Sequence, residues 1–235
     1  MKKIAVIFSH YQLPSSRLAL HFVWNADVYR KYNVRVFVVA DRIYPMPDYA
    51  RCCVYPKPLK IFSIAKTSNY GIRKACDNGF EIIVKTDVDC VFSETLMALI
   101  ESTNQHEGIA PEYRMANDFA QTIRAPENIP AWPDTKGTLA LPAWVWRDIC
   151  GYNENLEGYG IEDGDCYERA TRSRIKIIRA AHAPLWHIAH EAGTLQARGP
   201  RIDFWNRENG FNPKNHSYNR QARKGKLANP NWGIV

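Results

Sequence analysis

Short unbroken apolar runs alternate with amphipathic stretches along most of the chain. The first run, residues 4–8, is followed at once by the polar His10 and Gln12, too early for a secretory signal, and so predicts a buried first strand. A polar loop with Pro14 leads to Ser15 and Ser16, which suit the cap of a helix running to about residue 32. Residues 34–40, VRVFVVA, read as a second strand that closes at Asp41 and Arg42. The segment 43–58 carries four prolines and predicts a loop around a short third strand at 51–55. A helix over about 63–78, stopped by Gly79, leads into a fourth strand at 81–85. Strands alternating with helices imply an α/β chain whose mostly parallel sheet has helices on both faces.

Beyond Asp89 the pattern predicts a helix over about 93–103, capped by Ser93 with Glu94 in its first turn, and then grows irregular. Residues 117–137, with three prolines and Trp132, read as a loop that shapes a substrate site. Apolar character resumes over 137–146, a helix follows at about 163–174, and 175–180 is a last clear strand. There is no internal repeat, and no apolar run reaches the roughly 18 residues of a membrane-spanning helix, so no integral membrane segment is expected.

Composition narrows the class. With 46% hydrophobic and 23% charged residues among 235, disorder is a poor reading and one good core is expected. The net charge of +7 favours phosphate-bearing ligands, nucleic acid or an anionic membrane surface without choosing among them. Six cysteines with no C-x-x-C spacing read as reduced thiols, which points to a cytoplasmic protein.

The most informative run is Ile82–Phe92. It puts Asp87 and Asp89 at i and i+2 on the end of a buried strand, where alternation would send both carboxylates to one side beside apolar neighbours. A divalent cation would offset that cost, and hard oxygen ligands suit magnesium or manganese, which in turn neutralise a nucleotide diphosphate. Two solvated turn aspartates are the plainer alternative. A second acidic cluster, Glu162, Asp163 and Asp165, follows an aromatic bracketed by glycines, Gly158-Tyr159-Gly160, and enters a helix N-terminus. Capping alone explains Asp163 but not the crowding of three carboxylates.

With the helix residues Asn69 and Gly71 placed before Asp87-Val88-Asp89, the chain resembles nucleotide-sugar glycosyltransferases of the GT-A fold, in particular the family 2 enzymes. The run Gly151-Tyr-Asn through Tyr159-Gly160-Ile-Glu162-Asp163-Gly-Asp165 to Arg169 is similar to the "G-F-d … W-G-x-E-D-x-D … R" element of β1,4-galactosyltransferases, polypeptide N-acetylgalactosaminyltransferases and chondroitin polymerase. Tyr159 stands where that element has tryptophan. The resemblance spans roughly residues 3–191 and implies a GT-A sheet with a small antiparallel acceptor-side element.

It also implies roles. Asp163 would be the general base of an inverting transfer, with Glu162 orienting a sugar. Asp87 and Asp89 would hold Mn2+, or Mg2+, with a histidine as third ligand, His187 first and His190 second. Ser9, His10, Asp41, Asn69, Asp87 and Val88 would meet the donor, expected to be a UDP-sugar. Tyr159, Gly160, Glu162, Asp165 and Trp144 would meet the acceptor. The expected organisation is a catalytic domain over 1–198, with a nucleotide-binding half at about 1–92 and an acceptor half at about 93–198. The basic, aromatic segment 199–235 would pack on it or close over it. A saccharide acceptor is favoured, and the arginines, lysines and aromatics of 198–226 keep a hydroxymethylated DNA base as an alternative. A sugar-nucleotide pyrophosphorylase would want a glycine-rich loop after the first strand, which residues 9–14 lack. A non-catalytic carbohydrate- or nucleic-acid-binding module is the alternative of another class.

Overall fold

The computed structural model describes residues 2–11, 13–57, 59, 63–124, 126–132, 137–155, 162–189 and 231–234. Its first half is built from β1 (Ile4–His10), α1 (Ser15–Lys31), β2 (Arg35–Ala40), β3 (Ala50–Val54), α2 (Ile64–Asp77), β4 (Ile82–Lys85) and β5 (Cys90–Phe92). The second half comprises α3 (Glu94–Ser102), β6 (Glu107–Ala116), α4 (Phe119–Arg124), β7 (Ala131–Trp132), β8 (Leu139–Pro142), α5 (Ala143–Asp148), α6 (Glu162–Arg172) and β9 (Lys176–Ile188).

All nine strands join one sheet in the order β3-β2-β1-β4-β8-β6-β9-β5, with β7 beside β6. The strands β3, β2, β1 and β4 are mutually parallel. Antiparallel pairing enters at β8, while β6 and β9 run parallel over their length.

The continuous apolar runs follow from burial on both faces. Alternation sends Ile4, Val6 and Phe8 of β1 and Val36 and Val38 of β2 into one core with Leu18, Phe22 and Tyr29 of α1. It sends Ala5, Ile7, Phe37 and Val39 into a second core with Ala65, Ile72 and Ala75 of α2. Ser63 caps α2, accepting from the Lys66 N–H at 3.3 Å. Gly71 lets this helix lie close on the sheet, since a Cβ there would stand 2.5 Å from Ile7 Cγ2 and 2.8 Å from Val39 Cγ2.

Three expectations are corrected. The irregular stretch after residue 103 contains the ten-residue strand β6, and the last strand continues past residue 180 to Ile188. Pro111 and Pro184 obscured both, because proline reads as a strand break. A register shift between Pro111 and Tyr113 accommodates the missing donor, and pairing resumes at Tyr113↔Leu185. The proposed loop over 117–137 also holds structure: α4, a 3-10 turn at Pro126–Asn128 and β7.

The α1 face turned to the sheet carries polar groups with specific tasks. The Asn25 amide donates to the His21 and Cys90 carbonyls at 2.9 and 3.0 Å and accepts from the Phe92 N–H at 2.9 Å, closing the free edge of β5. His21 is buried; its Nδ1 donates to the Val88 carbonyl at 2.9 Å, so Nε2 accepts from the Tyr29 hydroxyl at 2.9 Å. Burial lowers the His21 pKa to about 4. No helix among the described residues is long and apolar enough to cross a membrane.

Two outcomes follow from this packing. Gly71→Ala should lose roughly 1–2 kcal/mol in urea denaturation, because overpacking against Ile7 and Val39 outweighs the gain of about 1 kcal/mol in helix propensity; a higher midpoint would show that α2 can shift off the sheet. Between the unfolded value near 6.5 and the folded value of about 4, the unfolded chain takes up the His21 proton and the folded chain does not, so stability falls as pH drops through that window. From pH 7 to 4.5 this group alone should cost about 2 kcal/mol, and His21→Gln should flatten that part of the profile.

Candidate active site

Charge meets burial at the end of β4. Alternation carries Lys85 onto the face of Ile83, among residues of α2, α5 and α6, where its side chain is 1% exposed. The ammonium donates to the Gly137 carbonyl at 3.0 Å and to Asp87 Oδ1 at 3.1 Å, stands 3.6 Å from Asp163 Oδ1, and lies 5.7 Å from the centre of the Tyr152 ring. Burial alone would lower its pKa; the carboxylates of Asp163 and Asp87 reverse this and hold it well above the ordinary lysine value.

β4 stops at Lys85. Asp87 and Asp89 therefore converge through a turn, closed by the Cys90 N–H donating to the Asp87 carbonyl at 3.3 Å, and not by strand alternation as the sequence suggested. The ligand atoms of Asp87, Asp89 and Cys90 lie within 4.8 Å of one another. Burial pushes the Cys90 thiol well up, helped by both aspartates, and a hard cation prefers the carboxylate oxygens to sulfur. Burial also raises the Asp87 carboxyl against the pull of Lys85, with Asp89 and Asp163 adding to the rise.

β9 brings His187 to the same place. Its register partners are Cys90 on β5 and Met115 on β6, and its Nε2 stands 3.1 Å from Asp89 Oδ1. The Ile188 N–H donates to the Asp89 carbonyl at 2.9 Å, tying this strand to the turn. From α6 comes Asp163, whose Oδ1 accepts from the Tyr152 hydroxyl at 3.2 Å; burial and the adjacent Asp163 hold that phenol protonated. Gly137 leaves the space between them open. A Cβ there would stand 3.0 Å from the Tyr113 hydroxyl, 3.3 Å from Asp87 Oδ2 and 3.6 Å from Asp163 Oδ2. Two carboxylates and an imidazole beside an open cradle fit a hard divalent cation.

Around this centre the other expected residues divide. Ser9, His10 and Asp41 lie at the carboxyl ends of β1 and β2, the same edge as Asp87. Ser9 pairs with the Thr67 hydroxyl at 2.7 Å, and Asp41 accepts from Tyr44 at 3.3 Å. His10 is fully buried with its ring edge-on to Tyr44, and neither ring nitrogen has a hydrogen-bond partner among the described residues.

Four more of the expected residues have partners within the chain. The Asn69 amide pairs with the 152–154 turn, and the Val88 carbonyl accepts from His21. Asp165 is buried in a 2.9 Å ion pair with Arg169, which also donates to the Ile149 and Gly151 carbonyls. Trp144 follows Pro142, the register partner of Ile82 at the opposite edge of the sheet, and its indole donates to the Gln105 carbonyl. Glu162 is buried in the first turn of α6. Tyr159, Gly160 and His190 lie outside the described residues.

Sequence reasoning assigned no role to Lys85 or Tyr152. The signal for the first was a lysine at the end of a run otherwise destined for full burial; for the second, an aromatic hydroxyl between Gly151 and the acidic cluster.

The sequence family described as the N-terminal domain of galactosyltransferase matches residues 130–191. No curated protein sequence matches the chain significantly. Among solved structures, the catalytic domain of Drosophila β1,4-galactosyltransferase 7 in complex with xylobiose is similar at a TM-score of 0.57 and 14% identity, over 81% of this chain and 72% of that one. A mutant of the same enzyme in complex with manganese, UDP-Gal and xylobiose gives 0.56 and 14% over the same shares. GalNAc-T7 with UDP, GalNAc and Mn2+ gives 0.58 and 12%, over 81% of this chain and 44% of that one. TarS of S. aureus gives 0.57 and 12%, over 83% and 38%. The chain thus spans less than half the length of the last two. The architecture is that of the GT-A glycosyltransferases, and residues 130–191 carry the sequence pattern of the galactosyltransferase family.

Proposed function

We propose that this chain is a metal-dependent glycosyltransferase that moves a sugar from a UDP-sugar to a saccharide hydroxyl with inversion, using Asp163 as general base. The observation that carries this reading is the convergence of Asp87, Asp89, His187 and Asp163 around the cradle at Gly137. Neighbours of the same fold crystallised with manganese and UDP or UDP-Gal, and one with the disaccharide xylobiose, support the metal, donor and acceptor classes.

Asp87, Asp89 and His187 would hold Mn2+, which when bound neutralises the departing nucleotide diphosphate. The chain's own residues supply the rest. Asp163 removes the acceptor hydroxyl proton as that oxygen forms its bond to the anomeric carbon, and the bond from this carbon to the diphosphate oxygen breaks. Lys85 donates to Asp87 and stands beside Asp163, a cation between the two carboxylates that offsets their mutual repulsion. His10 is buried at the donor edge and offers two ring nitrogens to a base or ribose. The DNA alternative rested on 198–226, which lie outside the described residues, and no observation on the described residues favours it.

Asp87→Ala or Asp89→Ala should weaken UDP binding in manganese by roughly 100-fold or more in calorimetry; unchanged affinity would refute the ligand assignment. Asp163→Asn should leave that affinity nearly intact while kcat falls by about 10²–10⁴-fold; retained transfer would move the base elsewhere.

A further inference from the structure

Far in sequence from the acidic motifs, residues 231–234 form a turn docked on α2. Trp232 is 3% exposed within the α2-side core, and the Arg73 guanidinium lies 5.3 Å from the centre of its ring. Gly233 has φ +66, and a Cβ there would stand 2.6 Å from the Asn69 carbonyl oxygen, so glycine is required both for conformation and for space. Its N–H donates to Glu154 Oε1 at 2.8 Å.

That same Glu154 oxygen accepts from the Asn69 amide at 2.8 Å. Asn69 in turn grips both main-chain groups of Tyr152, donating to its carbonyl at 2.9 Å and accepting from its N–H at 2.7 Å. One buried side chain therefore fixes the backbone of Tyr152. The Tyr152 ring stacks on Trp146 with centroids 5.9 Å apart, and its hydroxyl reaches Asp163 Oδ1. Gly151 completes the fit: a Cβ there would stand 2.3 Å from Asn69 Oδ1 and 2.7 Å from Trp232 Cε3. These atoms leave no slack through which a shift of Trp232 could dissipate before reaching Asn69.

We infer that Trp232 and Gly233 are a latch that positions the candidate base, acting through Glu154, Asn69 and Tyr152 on Asp163. The inference rests on the reading of Asp163 as general base. Tyr152 is a positioning residue: its phenol donates to one carboxylate oxygen and so sets the direction in which the other is presented. A latch of this kind makes turnover depend on residues 232–233 while donor binding, at the Asp87 end of the site, does not.

The test compares the parent protein with Trp232→Ala, the milder Glu154→Ala, Tyr152→Phe and the exposed Ile234→Ser as control. Latch variants and Tyr152→Phe should lower kcat tenfold or more, with KM for the UDP-sugar and UDP affinity in manganese within about twofold, and Ile234→Ser should match the parent. Trp232→Ala combined with Tyr152→Phe should fall no further than the worse single variant, since both act on one pathway. Hydrogen exchange over residues 151–155 should quicken in Trp232→Ala and Glu154→Ala and stay unchanged over 4–10.

Unchanged kcat in Trp232→Ala and Glu154→Ala, or a multiplicative loss in the double variant, would overturn the inference. Should Asp163→Asn keep full transfer, it is the base assignment that fails; faster exchange over 151–155 would then still report the latch. Should Trp232→Ala not fold, Glu154→Ala alone decides by the same kcat and exchange criteria.

Discussion

A buried ammonium group makes the candidate site tenable. Asp87, Asp89 and Asp163 gather beyond the end of β4, a fully buried strand whose other residues are apolar, and like charges so placed would drive one another to neutrality. Lys85 answers this from inside the core, reaching two of the three carboxylates and the Gly137 carbonyl. Removing one member of such a buried cluster leaves the others uncompensated, which couples the two acidic motifs energetically although about 75 residues of chain separate them.

Around that charge cluster the fold supplies rigid backing. α1 holds the 87–89 turn through His21 and closes the edge of β5 through Asn25. The long β9 pairs with both β5 and β6 and thereby delivers His187 to Asp89. The His21 imidazole and the Asn25 amide are both satisfied by these partners, so the turn carrying the aspartates is held from the sides as well as from below.

Much of this was legible in the sequence. The first four strands, the Ser63 and Ser93 caps and the parallel start of the sheet follow from periodicity, because both faces are covered and alternation is hidden in plain apolar runs. The motifs around Asp87 and Asp163 were visible as unusual charge. What periodicity hid was β6 and the far half of β9, where Pro111 and Pro184 mimic chain breaks that a register shift absorbs. Side-chain direction was also beyond reach. Asn69 and Asp165 look like ligand-facing polar residues until the turn at 151–154 and Arg169 claim them, and Trp144 lies on a strand-to-helix junction at the wrong edge. Such assignments depend on tertiary partners that spacing does not encode.

The length of β9 has a further implication for how copies of this chain behave toward one another. Along residues 176–180 β9 pairs with β6, and among the described residues no strand lies on its other side; an edge of this kind offers main-chain donors and acceptors that can template a foreign strand. Lys176, Arg179 and His182 along this stretch and the donor-less Pro184 oppose such pairing. The proline that hides the strand from periodicity is thus also a residue with no N–H to give a foreign strand, and the basic side chains beside it carry one sign of charge, which would repel the same stretch of a second copy.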